Sequence, residues 1–194
     1  AQGVAPGEII TIFGLNFGPP AQLTGAQLNG NKLATTLAQT QVLFDGVAAP
    51  LVYVSAGQIS AIVPYGVVGK ATTRVTISYQ GRAGNAVNVS VLPSHAGLFS
   101  VDSSGSGLVA ALNQNNSVHG VNNPAGRSSV IQLFGTGMGI PNPGSTDGQI
   151  VAPPLSGPVL PVQVLIAGRS AQVLYFGGAP NLVSGVFQAN VVVP

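Results

Sequence analysis

The chain has 194 residues, of which 45% are hydrophobic and only 5% are charged, whereas globular domains typically carry about 25% charged residues. Disorder needs low hydrophobicity and high charge, so this composition excludes a disordered chain. Six basic residues, scattered singly, face four acidic ones for a net charge of +2. That pattern argues against nucleic-acid binding, which needs clustered Lys and Arg.

The chain contains no cysteine, so neither disulfides nor thiolate metal sites are expected. Apolar stretches such as "PVLPVQVLIAG" fall far short of the ~20 residues that a membrane-spanning helix needs. The first residues, "AQGVAPGE", include neither Met nor a basic and then apolar leader. We therefore expect no membrane span, and an export signal that was removed or lies elsewhere.

In chain order, the first long segment without clear periodicity is "PAQLTGAQLNGNKLATTLA" (20–38), which glycines interrupt. It is predicted to be a long loop with at most one helical turn. The next segment, "QVLFDGVAAPLVYV" (41–54), carries Asp45-Gly46 between two apolar runs. This dipeptide is typical of a tight β-hairpin turn.

Two further hairpins are predicted downstream. "TTRVTISYQG" (72–81) and "AVNVSVL" (86–92) alternate apolar with polar residues, which indicates strands with one buried face. They should pair through "QGRAGN", and "SGLVAALNQNNSVHGV" (106–121) is another hairpin candidate. No segment shows a sustained helical stripe, so the predicted class is all-β.

Three blocks of the chain occur twice in the same order. "ITIFGLNFG" (10–18) returns as "IQLFGTGMG" (131–139), and "QISAIVP" (58–64) returns as "QANVVVP" (188–194). Between them, residues 41–54 return as "QVLIAGRSAQVLYF" (163–176), followed by about eight additional residues, "GAPNLVSG". So long a period indicates two whole domains, each predicted to be an Ig-like β-sandwich. The predicted domains are 1–94 and 95–194, the second including the linking hairpin.

These blocks, together with "GLFSVDSSGSGLVAALNQNNSVHGVNNPAGRSSVIQLFGTGMG" between them, also resemble a known family. They are similar to the uncharacterised C-terminal module of large secreted proteins from acidobacteria of the Solibacter type. Its halves are similar to the Ig-like (IPT/TIG-like) domains of plexins and transcription factors. The resemblance implies an exported protein with a tandem Ig-like fold, and it brings no assigned catalytic residues.

The second copy is shorter than the first. After Pro64 the first copy continues through residues 65–92, whereas the second copy ends at Pro194. The second domain is therefore predicted to lack its last hairpin and to expose a sheet edge. The predicted assembly edge consists of Gln188, Asn190, Val192 and Pro194.

Three explanations for the missing hairpin remain open. The chain was cut or its tail was not included; the hairpin at 106–121 partly fills the gap; or another subunit donates a strand. In the third case the leader "AQGVAPGEI" (1–9) is a candidate donor.

Residues capable of catalysis or ligand binding are few. His95 and His119 are the only histidines, and a Ser-His-Asp arrangement with Asp102 or Asp147 lacks the Gly-x-Ser-x-Gly elbow. The four carboxylates are far apart in sequence, which disfavours a glycosidase pair. "DSSGSG" (102–107) offers one carboxylate, too few for calcium. We predict no enzyme, and no catalytic residue, cofactor or metal ligand.

Surface modification and glycan binding give weaker signals. Asn88 and Asn115 begin Asn-x-Ser sequons and are candidate glycosylation sites. With no Trp and only four Tyr, aromatic platforms for sugars are scarce. Tyr53 and Tyr175 occupy equivalent repeat positions, which favours a structural role.

The sequence therefore predicts a non-enzymatic extracellular module for structure, assembly or adhesion, with copies of itself as partners. Because the chain carries few charges, electrostatic repulsion between identical chains is weak, which favours assembly. Strand donation between subunits is the predicted route to a fibre or filament. The alternatives are a module that binds surface polysaccharide and an accessory domain of a larger secreted enzyme.

Overall fold

The computed structural model describes residues 3–20 and 23–194, and it confirms the all-β class. The described part of the first copy forms strands and one 3-10 turn, Tyr65–Val67. The strands are β1 (Ile9–Phe13), β2 (Thr24–Gly25), β3 (Leu28–Asn29), β4 (Lys32–Leu33), β5 (Thr40–Phe44), β6 (Val47–Ala48), β7 (Leu51–Val54), β8 (Gln58–Ile62), β9 (Thr72–Tyr79), β10 (Arg82–Ala83) and β11 (Val87–Ser90).

The first domain is a sandwich of two antiparallel sheets. One sheet has the order β1-β8-β7-β2, and the other has the order β10-β9-β5-β6 with β11 also on β9. Strand β5 alternates as its sequence predicts: Thr40, Val42 and Phe44 are fully buried. Val42 and Phe44 belong to a continuous apolar core between the sheets, in which Leu51 and Ile59 are also buried.

The two hairpins predicted in the first domain are confirmed. Asp45 and Gly46 have positive φ values of 51° and 87° at the turn from β5 to β6, as the tight turn requires. Strand β9 pairs with both β10 and β11.

The prediction of a loop over 20–38 is wrong for the part that the structure describes. Thr24–Gly25 pairs with β7, and β3 and β4 form a small ribbon. These strands have two residues each, too short to give a readable alternation in sequence. No helical turn occurs in residues 23–38.

The described part of the second copy also consists of short strands. They are β12 (Gly97–Leu98), β13 (Ala111–Asn113), β14 (Val130–Thr136), β15 (Pro141–Asn142), β16 (Gly157–Pro158), β17 (Val164–Ile166), β18 (Arg169–Ala171), β19 (Val173–Gly178) and β20 (Val186–Val192). The main sheet has the order β12-β14-β20-β19 with β13 on β14, and β15-β16 and β17-β18 are two-stranded ribbons.

The duplication seen in the sequence extends to backbone hydrogen bonds. The N–H of Gly7 donates to the carbonyl of Val63 at 2.9 Å, and its counterpart Ser128 donates to Val193 at 2.8 Å. The ladder β7-β8 is irregular between Leu51 and Tyr53, and β19-β20 is irregular between the equivalent Val173 and Tyr175. Strands β14, β20 and β19 thus repeat β1, β8 and β7.

The two halves are joined by direct contacts as well as by the chain. The N–H of Ile9 donates to Oγ1 of Thr136 at 2.8 Å, and Oε1 of Glu8 lies 2.8 Å from Nδ1 of His95. In the additional loop of the second copy, Oγ of Ser184 lies 3.0 Å from the hydroxyl of Tyr65. The inserted residues therefore help to hold the second domain against the first.

The strands up to β11 pair only with one another, and so do the strands from β12 onward. One isolated β-bridge, between Lys32 and Gln149, connects the two groups among the described residues. The exact domain boundary at 94/95 stays a prediction. Residues 3–20 and 23–194 contain no helix with the length and apolar character needed to cross a membrane.

Candidate functional site

The second domain has a strand with one unpaired side, at the position where the first domain pairs the equivalent strand with its closing hairpin. Strand β5 lies between β6 and β9, whereas its repeat counterpart β17 pairs only with β18 among the described residues. The side of β17 turned away from β18 is called the open edge below. Among the described residues, no strand takes the place beside β17 that β9 takes beside β5.

Residues of β17 are less buried than the equivalent residues of β5. Val42 is fully buried in β5, but its counterpart Val164 in β17 is only partly buried. Leu165 is 57% exposed. Among the largest fully buried side chains of the described chain, Val191 is the only one in the second domain.

An apolar groove of about 340 Å³ lies between the main sheet and the segment that leads into β17. Leu133, Phe187 and Ala189 of the main sheet contribute buried side chains to its lining. The rings of Phe176 and Phe187 stack there with centroids 4.7 Å apart. These residues are inner-face positions of a sandwich whose second sheet is reduced to one ribbon.

The mouth of the apolar groove carries exposed apolar side chains. Leu98, Leu160 and Leu165 line it and are 48%, 41% and 57% exposed. A strand edge without a partner, beside exposed apolar side chains, is a feature that proteins normally protect, because such an edge can pair with another chain. The open edge and the apolar groove together form the candidate site.

A carboxylate that anchors the closing hairpin in the first domain has no counterpart in the second. Asp45 accepts hydrogen bonds from Nζ of Lys70 and the N–H of Arg74 at 2.8 Å, and from Oγ1 of Thr73 at 2.9 Å. These bonds, led by Lys70, lower the pKa of Asp45 to about 2. The equivalent residue of the second copy is Ala167, which has no side-chain acceptor.

The predicted assembly edge is wrong in its location. Gln188, Asn190 and Val192 lie in β20, which is paired with β14 on one side, and Gln188 and Asn190 also face β19 on the other. Pro194 follows the strand and is exposed. The repeat in the sequence could have located the edge correctly. Strand β20 corresponds to β8, which is central in its own sheet. Strand β17 corresponds to β5, which has a second neighbour, β9, in the first domain.

The leader is not free to act as a donor. Val4 is buried in the first domain, where its N–H donates to the carbonyl of Ser90 and its carbonyl accepts from Leu92 at 2.9 and 2.8 Å. Glu8 is buried as well. The donor hypothesis for residues 1–9 is therefore wrong for residues 3–9, while residues 1 and 2 lie outside the described part.

The linking hairpin forms as predicted but does not fill the gap. Leu112 and Val118 form a bridge within it, and β13 pairs with β14 on the side opposite β20. It therefore extends the main sheet instead of covering the open edge.

The residues weighed for catalysis do not come together. His95 contacts Glu8, and Nδ1 of His119 lies 3.3 Å from Oδ1 of Asn113. Asp147 accepts from the N–H of Tyr65 at 2.7 Å, across the domain contact. Hydrogen bonds from Ser104 lower the pKa of Asp102 to about 2 within its own loop. In the described ranges, no three His, Cys, Asp or Glu side chains are grouped as a metal site would require.

The remaining candidate residues lie on the surface or in the sheets. Asn88 in β11 and Asn115 in a turn are both exposed, and their glycosylation stays a prediction. The hydroxyl of Tyr175 donates to the carbonyl of Gly178 at 2.6 Å, and burial raises its pKa. The hydroxyl of Tyr53 accepts from Gln58. Both tyrosines are bonded within their own domains.

Residues 2–95, just under half of the chain, match the family model of the IPT/TIG domain. Such domains are Ig-like modules that are typically non-catalytic. The match supports the Ig-like fold of the first domain, and the repeated backbone extends that fold to the second. No curated protein and no solved structure matches the chain.

Proposed function

We propose that this protein is an exported, non-enzymatic assembly module, and that a β-segment of a neighbouring subunit completes its second domain. The observation that carries the proposal is the open edge of β17 beside the apolar groove, where the first domain places β9. Copies of the chain are the proposed partners, and the cell surface or extracellular space is the proposed location.

An added strand would both pair with the backbone of the open edge and cover the exposed side chains of the apolar groove. An added strand supplies backbone hydrogen bonds to the open edge, and its alternate side chains enter the apolar groove. Each hydrogen bond contributes about 0.5–1.5 kcal/mol, and burial of apolar surface contributes about 25 cal/mol per Å². The exposed leucines at the mouth are the surface that this burial would remove from water.

Two further observations support an assembly role outside the cell. The chain carries only 5% charged residues, so electrostatic repulsion between copies is weak. The IPT/TIG match covers a module type that often occurs in extracellular or adhesion contexts. The resemblance to the secreted acidobacterial module points the same way.

The test replaces the backbone donor at the open edge. Ile166 and Arg169 flank a two-residue turn and form a hydrogen-bonded pair. Hydrogen-bonded and non-hydrogen-bonded pairs alternate along an antiparallel ladder, so the N–H of the next residue, Leu165, points away from β18. Leu165→Pro removes this donor, while Leu165→Ala keeps it and serves as the control. We expect oligomers, measured by light scattering and negative-stain microscopy over a concentration series, to disappear in the proline variant only.

Oligomers that persist unchanged in Leu165→Pro would contradict strand addition at β17. A parent chain that stays monomeric at all concentrations and binds immobilised polysaccharide would instead support the glycan-binding alternative.

A further inference from the structure

The two domains carry the same kind of side chains on the side of their main sheets that faces away from the core. Ile12 of β1 packs against the core of the first domain, so the next residue, Phe13, points outward. In the second domain Leu133 is a core residue, and Phe134 follows it. The outward sides of β1-β8-β7 and β14-β20-β19 are called the outer faces below.

A phenylalanine lies directly opposite a glutamine on both outer faces. The pairs are Phe13 with Gln58 and Phe134 with Gln188, and directly opposed residues of antiparallel strands share one face of the sheet. On the first domain, Nε2 of Gln58 also donates to the hydroxyl of Tyr53, which orients the amide. Phe13 is 73% exposed, and neither phenylalanine belongs to the apolar core of its domain. Core packing therefore does not explain why both copies have this pair.

Amide side chains extend the row on the second domain. Nε2 of Gln188 donates to Oε1 of Gln132 at 3.4 Å and to Oδ1 of Asn190 at 2.8 Å. Oε1 of Gln188 and Nδ2 of Asn190 have no hydrogen-bond partner among the described residues. Every buried side-chain nitrogen and oxygen of that part of the chain is paired, so these two atoms are open to solvent. An acceptor and a donor are thus available on the same face as Phe134.

The outer faces are built from uncharged strands. The six strands that form them, as the structure describes them, contain no Asp, Glu, Lys, Arg or His. A charged ligand would find no opposite charge on these strands, so the ligand is expected to be neutral. Each face offers one aromatic ring and a few amides, a smaller patch than the ~800 Å² per partner of a standard protein interface. A patch of this size fits one small unit of a larger ligand.

We infer that each outer face binds a neutral polysaccharide, with the phenylalanine ring and the glutamine amide as its main contacts. The C–H side of a sugar ring is apolar and packs on an aromatic ring, while its hydroxyl groups both donate and accept hydrogen bonds, as amides do. The site is present once in each domain, and a ligand with repeated units can occupy both copies at once. Phenylalanine supplies the ring in a chain that has no Trp and only four Tyr.

The outer faces are separate from the open edge and the apolar groove. Leu133 and Ala189 line the groove from the inner side of the main sheet, whereas their chain neighbours Phe134 and Gln188 lie on the outer side. Sugar binding therefore does not require assembly, and the two can occur together.

The test measures binding of the parent chain to three immobilised neutral polysaccharides, hydroxyethylcellulose, galactomannan and amylopectin, by surface plasmon resonance. The chain is used at a concentration at which light scattering reports monomers. We expect binding to at least one polymer, with the same affinity at about 0.05 and about 0.5 M NaCl, because salt screens only charged contacts. Binding to none of the three, or binding that is lost at the higher salt concentration, would overturn the inference.

The variants remove the rings and keep apolar side chains in their place. Phe13→Leu and Phe134→Leu should each weaken binding at least ~10-fold, because one site alone loses the gain from simultaneous binding, and the double variant should not bind. Phe13→Tyr combined with Phe134→Tyr keeps both rings and should bind as the parent does. Val121→Ala, at an 86% exposed position outside the outer faces, is the matched control. A double leucine variant that binds as tightly as the parent would overturn the inference.

Phe13→Leu keeps the test decisive even if Phe134→Leu does not fold. The side chain of Phe13 is exposed, so its replacement should leave the midpoint of thermal unfolding nearly unchanged. A folded Phe13→Leu chain with unchanged affinity for the polymer would overturn the site on the first domain.

Light scattering of the double leucine variant separates sugar binding from assembly. We expect its oligomers to be those of the parent, because the open edge is unchanged. Oligomers that disappear in this variant, with no sugar binding by the parent, would assign the outer faces to contacts between copies and overturn the inference. A parent that binds the polymer but never assembles would support the inference and overturn the assembly proposal.

Discussion

Asp45 shows how one side chain can fix the start of a hairpin to the strand that it covers. Its carboxylate lies at the turn between β5 and β6 and accepts hydrogen bonds from Lys70, Thr73 and Arg74. Three residues at the start of the closing hairpin are thereby fixed to the strand that the hairpin covers. The second copy has Ala167 at this position, so even a correctly placed hairpin would be held there by backbone and apolar contacts alone.

The anchor predicts a pH dependence of the first domain. The pKa of Asp45 falls from 3.8 to about 2 in the folded state, so the unfolded state binds the proton more readily. The stabilisation is therefore complete above about pH 4 and is lost as the pH falls through about 2. Asp45→Asn should reduce this loss, as measured by urea unfolding across that range.

Asp102 serves as the comparison for this prediction. Its pKa is also lowered to about 2, but its partners lie within its own exposed loop. If Asp102→Asn reduced the acid loss of stability in the same urea measurements as much as Asp45→Asn does, the specific role of Asp45 would be contradicted.

At the scale of elements, β5 and β17 show that a neighbour decides burial. Both segments consist of a glutamine and an apolar run that ends in a tight turn, "QVLFDG" (41–46) and "QVLIAG" (163–168). In β5 the alternate side chains are buried, whereas β17 is partly exposed throughout. The sequence of the strand is nearly the same, so the difference follows from its neighbours: β5 has β9 beside it, whereas β17 pairs only with β18 in the described part of the chain.

This difference predicts unequal costs for the same truncation. Val42→Ala removes buried methyl groups and should lower the free energy of unfolding of the first domain by about 2 kcal/mol. Val164→Ala in the monomer should cost less than about 1 kcal/mol, because its side chain is only partly buried. Denaturant unfolding of both variants measures this, and equal losses would show that β17 is already covered.

Much of this fold can be predicted from local patterns in the sequence, whereas neighbours in space cannot. Alternation over 72–92 and the Asp45-Gly46 turn indicate the hairpins because the residues that pair are close to one another in the sequence. Gln188 and Asn190 alternate equally well, yet they lie in the middle of a sheet. Strand order depends on contacts distant in sequence, and only the repeat counterpart β8 carries information about it.

At the scale of the whole molecule, low charge predicts how assembly responds to salt. The open edge and the apolar groove contain almost no charged side chains, and the chain has only 5% in total. Salt weakens contacts between charged groups, while apolar burial is maintained or strengthened by salts such as sulfate. Oligomers measured by light scattering should persist from about 0.05 to about 1 M NaCl. Dissociation by salt would indicate a charged interface elsewhere.

The parallel pairing of Val4 with Val91 has a mechanical consequence. Stretching the chain between the ends of the first domain pulls the hydrogen bonds at Val4 along the strand direction, so they must break together. Among the described residues, the second domain contains no parallel bridge of this kind. We therefore expect the second domain to unfold first under tension. A subunit bound in its apolar groove would raise the force that the whole chain withstands before it unfolds.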